Sequence, residues 1–232
     1  MATTPPVLKR WLIRLTLGLL ALTALFVLGL LSMRWVPPLT TAFMVRERIQ
    51  TGPIDYRWTP AEEISDEAAI AVVASEDQKF PNHVGFDLDA IEDALEGPGP
   101  PSRGASTISQ QVAKNLYLWP EGGYVRKGIE AGITLGIEAL WTKERILEVY
   151  LNIAELGPGV FGVEAASQRY FGKPASKLTR SEAALLAAAL PNPKTRRVEA
   201  PSSSMRSRQR HIERQIRNLG GPGYLIEAGV WQ

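Results

Sequence analysis

The chain has 232 residues, enough for one domain of ordinary to large size with a sizeable core. It contains no cysteine, which excludes disulfides, thiolate metal sites and a thiol nucleophile, and fits an oxidising compartment. Four of its 26 basic residues fall in residues 1–34, where there is no acid. The remainder, 22 basic against 24 acidic, therefore carries −2 and is not suited to binding nucleic acid.

Those four cations, Lys9, Arg10, Arg14 and Arg34, border an apolar run. Leu15 to Met33 gives 19 residues without a charge, nearly enough as a helix to cross a hydrocarbon core about 30 Å thick. Trp11 and Trp35 bracket it as interfacial aromatics do. The competing reading is a cleaved signal peptide, whose apolar region is usually about 7–15 residues and ends at small residues. Leu28 to Met33 offers no such cleavage site, which favours a single-pass anchor over residues 1–35. With the cations mostly before the span, the N-terminus is expected in the cytoplasm and residues 36–232 on the far side.

Pro37-Pro38 ends the anchor, and Thr40 to Gln50 can form a short helix. Thr59-Pro-Ala-Glu62 reads as a capping box with proline at the first helical position, opening a buried helix over Ile64 to Lys79. Asp87 to Glu96 has helical spacing. Gly97 to Gly104 is a glycine–proline stretch without regular structure, either a surface loop or a mobile lid. Helical patterns resume over Ser106–Leu118, Val125–Trp141, Lys143–Leu151, Val160–Phe171 and Thr179–Leu190, the last opened by a second capping box, Thr179 with Glu182. Met205 to Leu219 is an amphipathic helix ringed by arginines, read as packed on the domain in preference to lying on anionic lipid. With no convincing alternating strand, the exported part is expected to be one mainly α domain.

The polar clusters lie on these helices. Glu76 and Asp77 end the apolar run Ile70-Ala-Val-Val-Ala-Ser75, and Phe80, Pro81 and His83 follow. Unpartnered carboxylates in a half-buried place are costly, so this pair is either a solvated helix end or a site. In Gly104 to Asn115, the spacing of Thr107, Gln111 and Lys114 puts a hydroxyl, an amide and an ammonium on one helix face. Arg126 and Glu130 follow at i,i+4. Two carboxylates with flanking cations suit glycosyl chemistry, in which one carboxylate takes a proton and cations stabilise an anionic leaving group.

Glu76-Asp-Gln-Lys-Phe-Pro-Asn-His83 resembles the E-D-x-x-F-x-x-H motif of the peptidoglycan glycosyltransferases, glycosyltransferase family 51, the transglycosylase domain of penicillin-binding proteins. Gly104 to Asn115 is similar to their G-x-S-T-x-x-Q-Q-x-x-K-N motif, and Arg126-Lys-Gly-Ile-Glu130 to R-K-x-x-E. Lys143 to Asn152 with Gly162 to Phe171 resembles the fourth motif, and Ser181 to Ala187 with Pro191-Asn-Pro193 the fifth. The set keeps the family's order across about residues 60–195.

The resemblance implies a lysozyme-like, mainly α glycosyltransferase domain behind one N-terminal transmembrane helix. It implies a monofunctional enzyme without a transpeptidase, since little chain follows residue 195. The implied substrates are lipid II and the growing lipid-linked glycan, joined by β-1,4 links with inversion and release of undecaprenyl pyrophosphate. Glu76 and Glu130 are the implied catalytic carboxylates, with Glu76 the general base. Ser106, Thr107, Gln111, Lys114 and Arg126 would bind sugar or pyrophosphate. Asp77 and His83 would either position the site or serve as structural hydrogen bonds, while Phe80, Tyr150, Asn152 and Tyr170 are assigned mainly to packing. No cofactor is required, although a divalent cation such as Mg²⁺ could assist at the pyrophosphate. Partners would be the bilayer and other wall-synthesis or division proteins. The place would be the bacterial inner membrane, with the catalytic domain periplasmic. Leu116-Tyr-Leu-Trp119 would either dip into the outer leaflet or form ordinary core. Two rivals remain: a glycan-cleaving enzyme of the same fold, and a non-catalytic tether for the wall machinery.

Overall fold

The computed structural model describes residues 6–96 and 106–231. Contacts divide the chain into two units, Met1–Val36 and Pro37–Gln232. The Gly97–Gly104 stretch lies outside the described residues.

The first unit holds one helix, α1 (Pro6–Ser32), whose segment Val7–Ser32 is long and apolar enough to cross a membrane. Its leucines are largely exposed, as residues that need an apolar solvent would be. Two hydroxyls inside it, those of Thr16 and Thr23, donate to the carbonyls of Leu12 and Leu19, so they need no water.

The second unit is helical around a minor sheet. Its elements in order are α2 (Ala42–Thr51), β1 (Asp55–Tyr56), α3 (Asp66–Glu76), α4 (Leu88–Glu96), α5 (Ile108–Tyr117) and α6 (Tyr124–Leu140). They continue through α7 (Lys143–Ile153), β2 (Glu155–Gly157), β3 (Val160–Phe161), α8 (Val163–Phe171), α9 (Arg180–Ala189), α10 (Ser203–Leu219) and α11 (Gly223–Glu227). The sheet order is β1-β3-β2, with β1 parallel and β2 antiparallel to β3.

α3 is the central element. Ser65 caps it by accepting from the Glu67 N–H, and Asp66 and Glu67 place negative charge in its first turn, where the helix dipole favours it. Every residue from Ala68 to Ala74 is buried, against α9, α10 and α7. α9 is buried from Ala183 to Ala189, and the small side chains of both helices permit close approach. Ile70 is wholly buried here. Ile70→Ala is therefore expected to cost about 2–5 kcal/mol in a denaturant titration of the detergent-solubilised protein. A loss below about 1 kcal/mol would show that the helices close over the gap and that their packing is looser than described.

Three boundaries differ from those read in the sequence, the first being the end of α3, which stops at Glu76 and not at Lys79 because Asp77 leaves the helical backbone. Thr59 does not open a helix: its N–H donates to Asn152 Oδ1 and its carbonyl accepts from Asn152 Nδ2, both at 2.8 Å. That clamp keeps the backbone extended, a single 3₁₀ turn follows at Ala61–Glu63, and the helix starts only at Asp66. The segment from Val160 begins as strand β3, and α8 starts after Gly162. Gly162 has φ +86°, and a Cβ there would lie 2.5 Å from the Asn152 carbonyl oxygen, so only glycine fits the turn. The Thr179–Glu182 capping box is present as expected.

α10 lies on α9 and α3, burying Met205, Ile212 and Ile216. Its Gln209 amide donates to the Ser181 carbonyl and hydroxyl oxygens. This is the packed arrangement; Arg206, Arg210, Arg214 and Arg217 face outward and Arg208 turns inward. Leu116 and Leu118 are core, whereas Trp119 is half exposed.

Candidate active site

The end of α3, the face of α5, the Leu190–Arg196 segment after α9 and the inner edge of α10 enclose a cleft of about 630 Å³. Gln111, Lys114, Leu190, Pro191 and Asn192 also border a second cavity of about 300 Å³, which extends toward Phe43, Arg46, Tyr150, Glu155 and Lys194.

Glu76 is the last residue of α3, so the apolar helix carries its carboxylate to the cleft wall. Its Oε1 accepts from the Ser75 hydroxyl at 3.0 Å and faces Arg208 Nη2 at 3.5 Å. Its Oε2 accepts from Gln111 Nε2 at 3.2 Å. Among the described residues it is the only carboxylate lining this cleft, opposite Lys114, Arg196 and Arg208. Among the described residues Lys114 has no carboxylate or hydrogen-bond partner; its Nζ stands 5.8 Å from the Phe43 ring centroid. Burial lowers the Lys114 pKa and the cations Arg126 and Lys127 add to that, while Glu130 and Glu76 act in the opposite sense. A half-buried ammonium without a partner anion is a place for a ligand's negative charge.

The remaining residues singled out in the sequence divide into two groups. Ser106 lines the cleft; its hydroxyl accepts from Lys127 Nζ at 3.4 Å and its carbonyl from Gln111 Nε2. Arg126 and Glu130 stand behind Lys114 and line neither cavity. Glu130 is 2% exposed, and its two oxygens accept from Arg126 Nη1 at 2.7 Å and Lys127 Nζ at 2.5 Å. Both carboxylate oxygens of Glu130 thereby hold cations.

Thr107 does not share the face of Gln111 and Lys114. It is the N-cap of α5, with extended backbone, and its buried hydroxyl accepts from the Gln110 N–H and donates to the Gly85 carbonyl. Helical spacing cannot be applied to a residue that stands before the first turn. Asp77 and His83 are likewise turned from the cleft. Asp77 Oδ2 accepts from the Ile108 N–H at 2.9 Å, and both its oxygens lie within 3.0 Å of His83 Nε2. Asp77 thus fastens the end of α3 to the positive N-terminus of α5, bringing Glu76 and Gln111 together.

Four groups at or near the site were not singled out as functional in the sequence. Arg208 and Arg196 line the cleft, Lys127 shares Glu130, and the Tyr150 hydroxyl donates to Gln111 Oε1 at 2.9 Å. Lys127 had a visible signal, its i,i+3 relation to Glu130. Among the described residues no three His, Asp or Glu side chains gather as a metal site.

One carboxylate set among cations, in a helical cleft beside a lysine that has no carboxylate in hydrogen-bond reach among the described residues, is an arrangement that suits group transfer on an anion-bearing substrate. The chain belongs to the transglycosylase family, whose model matches residues 45–217, and its helical fold is the lysozyme-like one expected of that family. It is 53% identical over 228 residues to a biosynthetic peptidoglycan transglycosylase of Pectobacterium carotovorum, covering 94% of this chain and 92% of that one. A protein of the same description from Klebsiella oxytoca is also 53% identical, over 94% and 93% of the two chains. One from Escherichia coli O1:K1 is 54% identical over 91% and 92%.

Proposed function

We propose that the protein polymerises lipid II into β-1,4-linked glycan strands, with Glu76 as general base. Family and relatives together make it an enzyme of peptidoglycan synthesis, a glycosyltransferase, and no transpeptidase domain is evident in the family match.

The observation that carries the residue assignment is Glu76, the single carboxylate of the cleft among the described residues, facing a lysine to which no described carboxylate is hydrogen-bonded. In this reading the Glu76 carboxylate takes the proton from the 4-hydroxyl of the acceptor's N-acetylglucosamine. The freed oxygen pair forms a bond to the anomeric carbon of the growing chain. The bond from that carbon to the α-pyrophosphate oxygen breaks on the far face, so configuration inverts and undecaprenyl pyrophosphate leaves with the bonding electrons. Lys114 meets the charge that develops on the leaving phosphate, with Arg126 and Lys127 behind it, held by Glu130. Ser106 and Gln111 bind donor sugar or phosphate. A divalent cation such as Mg²⁺, where it takes part, would offset the charge that develops on the pyrophosphate leaving group.

A polyprenyl substrate stays in the bilayer, which gives α1 its purpose as a single-pass anchor. The proposed orientation is N-terminus cytoplasmic and catalytic unit periplasmic, from the cations preceding the span. The proposed partners are lipid II, the lipid-linked strand, the bilayer and other wall-synthesis or division proteins.

Incubation of the full chain in detergent with labelled lipid II, and separately with isolated uncrosslinked glycan, tests the reaction class. The expected result is strand growth from lipid II and no shortening of glycan. Glycan shortening without polymerisation would contradict the proposal and favour a cleaving enzyme. Inertness toward both would favour a tether.

A further inference from the structure

Tyr150 packs within α7, 1% exposed between the buried Val149 and Leu151. Its hydroxyl does something more. It donates to Gln111 Oε1 at 2.9 Å, and among the described residues it has no other partner. The opposite end of that amide, Nε2, faces Glu76 Oε2 at 3.2 Å and the Ser106 carbonyl at 3.4 Å. A carboxylate and a peptide carbonyl can only accept hydrogen bonds, so the amide's NH₂ must lie on their side and its oxygen on the side of Tyr150. The orientation of Gln111 follows from its three partners.

The phenol is suited to a permanent donor's role. Burial raises its pKa, and the negative charges of Glu76 and Asp77 raise it further, so the proton stays on oxygen wherever the enzyme works. Without that proton the Gln111 oxygen would be buried and unpaired. The amide could then relieve itself only by turning its oxygen toward the Glu76 carboxylate, where it repels.

We infer that Tyr150 is a positioning residue for the general base, acting through Gln111: its hydroxyl holds the amide in the orientation that donates to Glu76. This rests on the assignment of Glu76 as the base. The three groups come from three helices, α7, α5 and α3, so the chain of bonds also ties the base to elements that border both cavities.

Tyr150→Phe removes the hydroxyl and keeps the ring. Lipid II polymerisation by the full-length variant is expected to fall about tenfold in kcat with KM within about twofold, the loss of one buried hydrogen bond. The acid limb of its kcat/KM–pH profile should move to higher pH, because a carboxylate that loses a donor binds its proton more readily. In a Gln111→Ala background Tyr150→Phe should have no further effect, as Tyr150 then has nothing to hold. Rates are taken at a temperature where each variant is folded by circular dichroism, so the ratio stays informative if melting shifts. An unshifted acid limb, a wild-type rate, or the same fold-loss in both backgrounds would overturn the inference. Glu76→Gln separates the two levels. If Glu76→Gln polymerises normally the base assignment fails and this inference with it, whereas a dead Glu76→Gln beside a wild-type Tyr150→Phe sinks only the role of Tyr150.

Discussion

Lys114→Ala is expected to slow lipid II polymerisation by about 10²–10³-fold, the range seen when one preorganised donor to a developing oxyanion is removed. The same substitution should leave the melting temperature unchanged or higher. Lys114 is a half-buried ammonium with no carboxylate in hydrogen-bond reach among the described residues, and burial holds its folded pKa below the ordinary lysine value. A lowered folded pKa means that protonation favours the unfolded chain, so at neutral pH the charged group costs stability and alanine relieves it. Lys143→Ala should behave in the opposite way. Its ammonium donates to Glu138 at 2.7 Å and lies over the Phe80 ring, and it lines neither cavity. Removing it leaves the buried Glu138 with the Ser109 hydroxyl, an expected loss of about 1–3 kcal/mol in stability with turnover within about threefold. Polymerisation rates and thermal melts of the two variants check this crossing pattern. Equal losses of rate would remove the pyrophosphate assignment of Lys114.

The second large effect belongs to Glu76. Glu76→Gln keeps the size of the side chain and the partner Ser75 but removes the proton acceptor, and polymerisation should fall by about 10³–10⁴-fold, toward the upper end of what general base catalysis supplies. Glu76→Asp keeps a carboxylate and withdraws it by one methylene from the cleft and from the Gln111 amide. It should retain intermediate activity, about 10²-fold below wild type, because a small misplacement of a reacting group is costly. An Asp variant slower than the Gln variant would mean that charge and reach at this position do not matter in the way proposed.

The residues legible in the sequence were those whose role follows from local spacing. Glu76 at the end of an apolar run, Gln111 and Lys114 one turn apart, and Arg126 with Glu130 all stand where a straight helix puts them, and the ordered motifs supplied the family. Local spacing failed where a competitor from far along the chain intervened. Asn152 takes both backbone groups of Thr59, so a good capping sequence makes no helix. Thr107 turns its hydroxyl to Gln110 and Gly85 because it stands before the first turn of α5. Arg208 reaches Glu76 only because the apolar stripe of α10 docks on α3, and nothing near residue 208 announces that neighbour. Tyr150 in an apolar helix reads as core, and it is core; only the position of its oxygen shows the link to Gln111.

The account stands or falls on Glu76 as the base for lipid II polymerisation. The most direct measurement compares full-length wild type and Glu76→Gln, matched by circular dichroism and melting, for glycan strands formed from labelled lipid II and sized on a gel. The expected result is long strands from wild type and none from a fully folded Glu76→Gln. Strands of normal length and rate from the folded variant would contradict it.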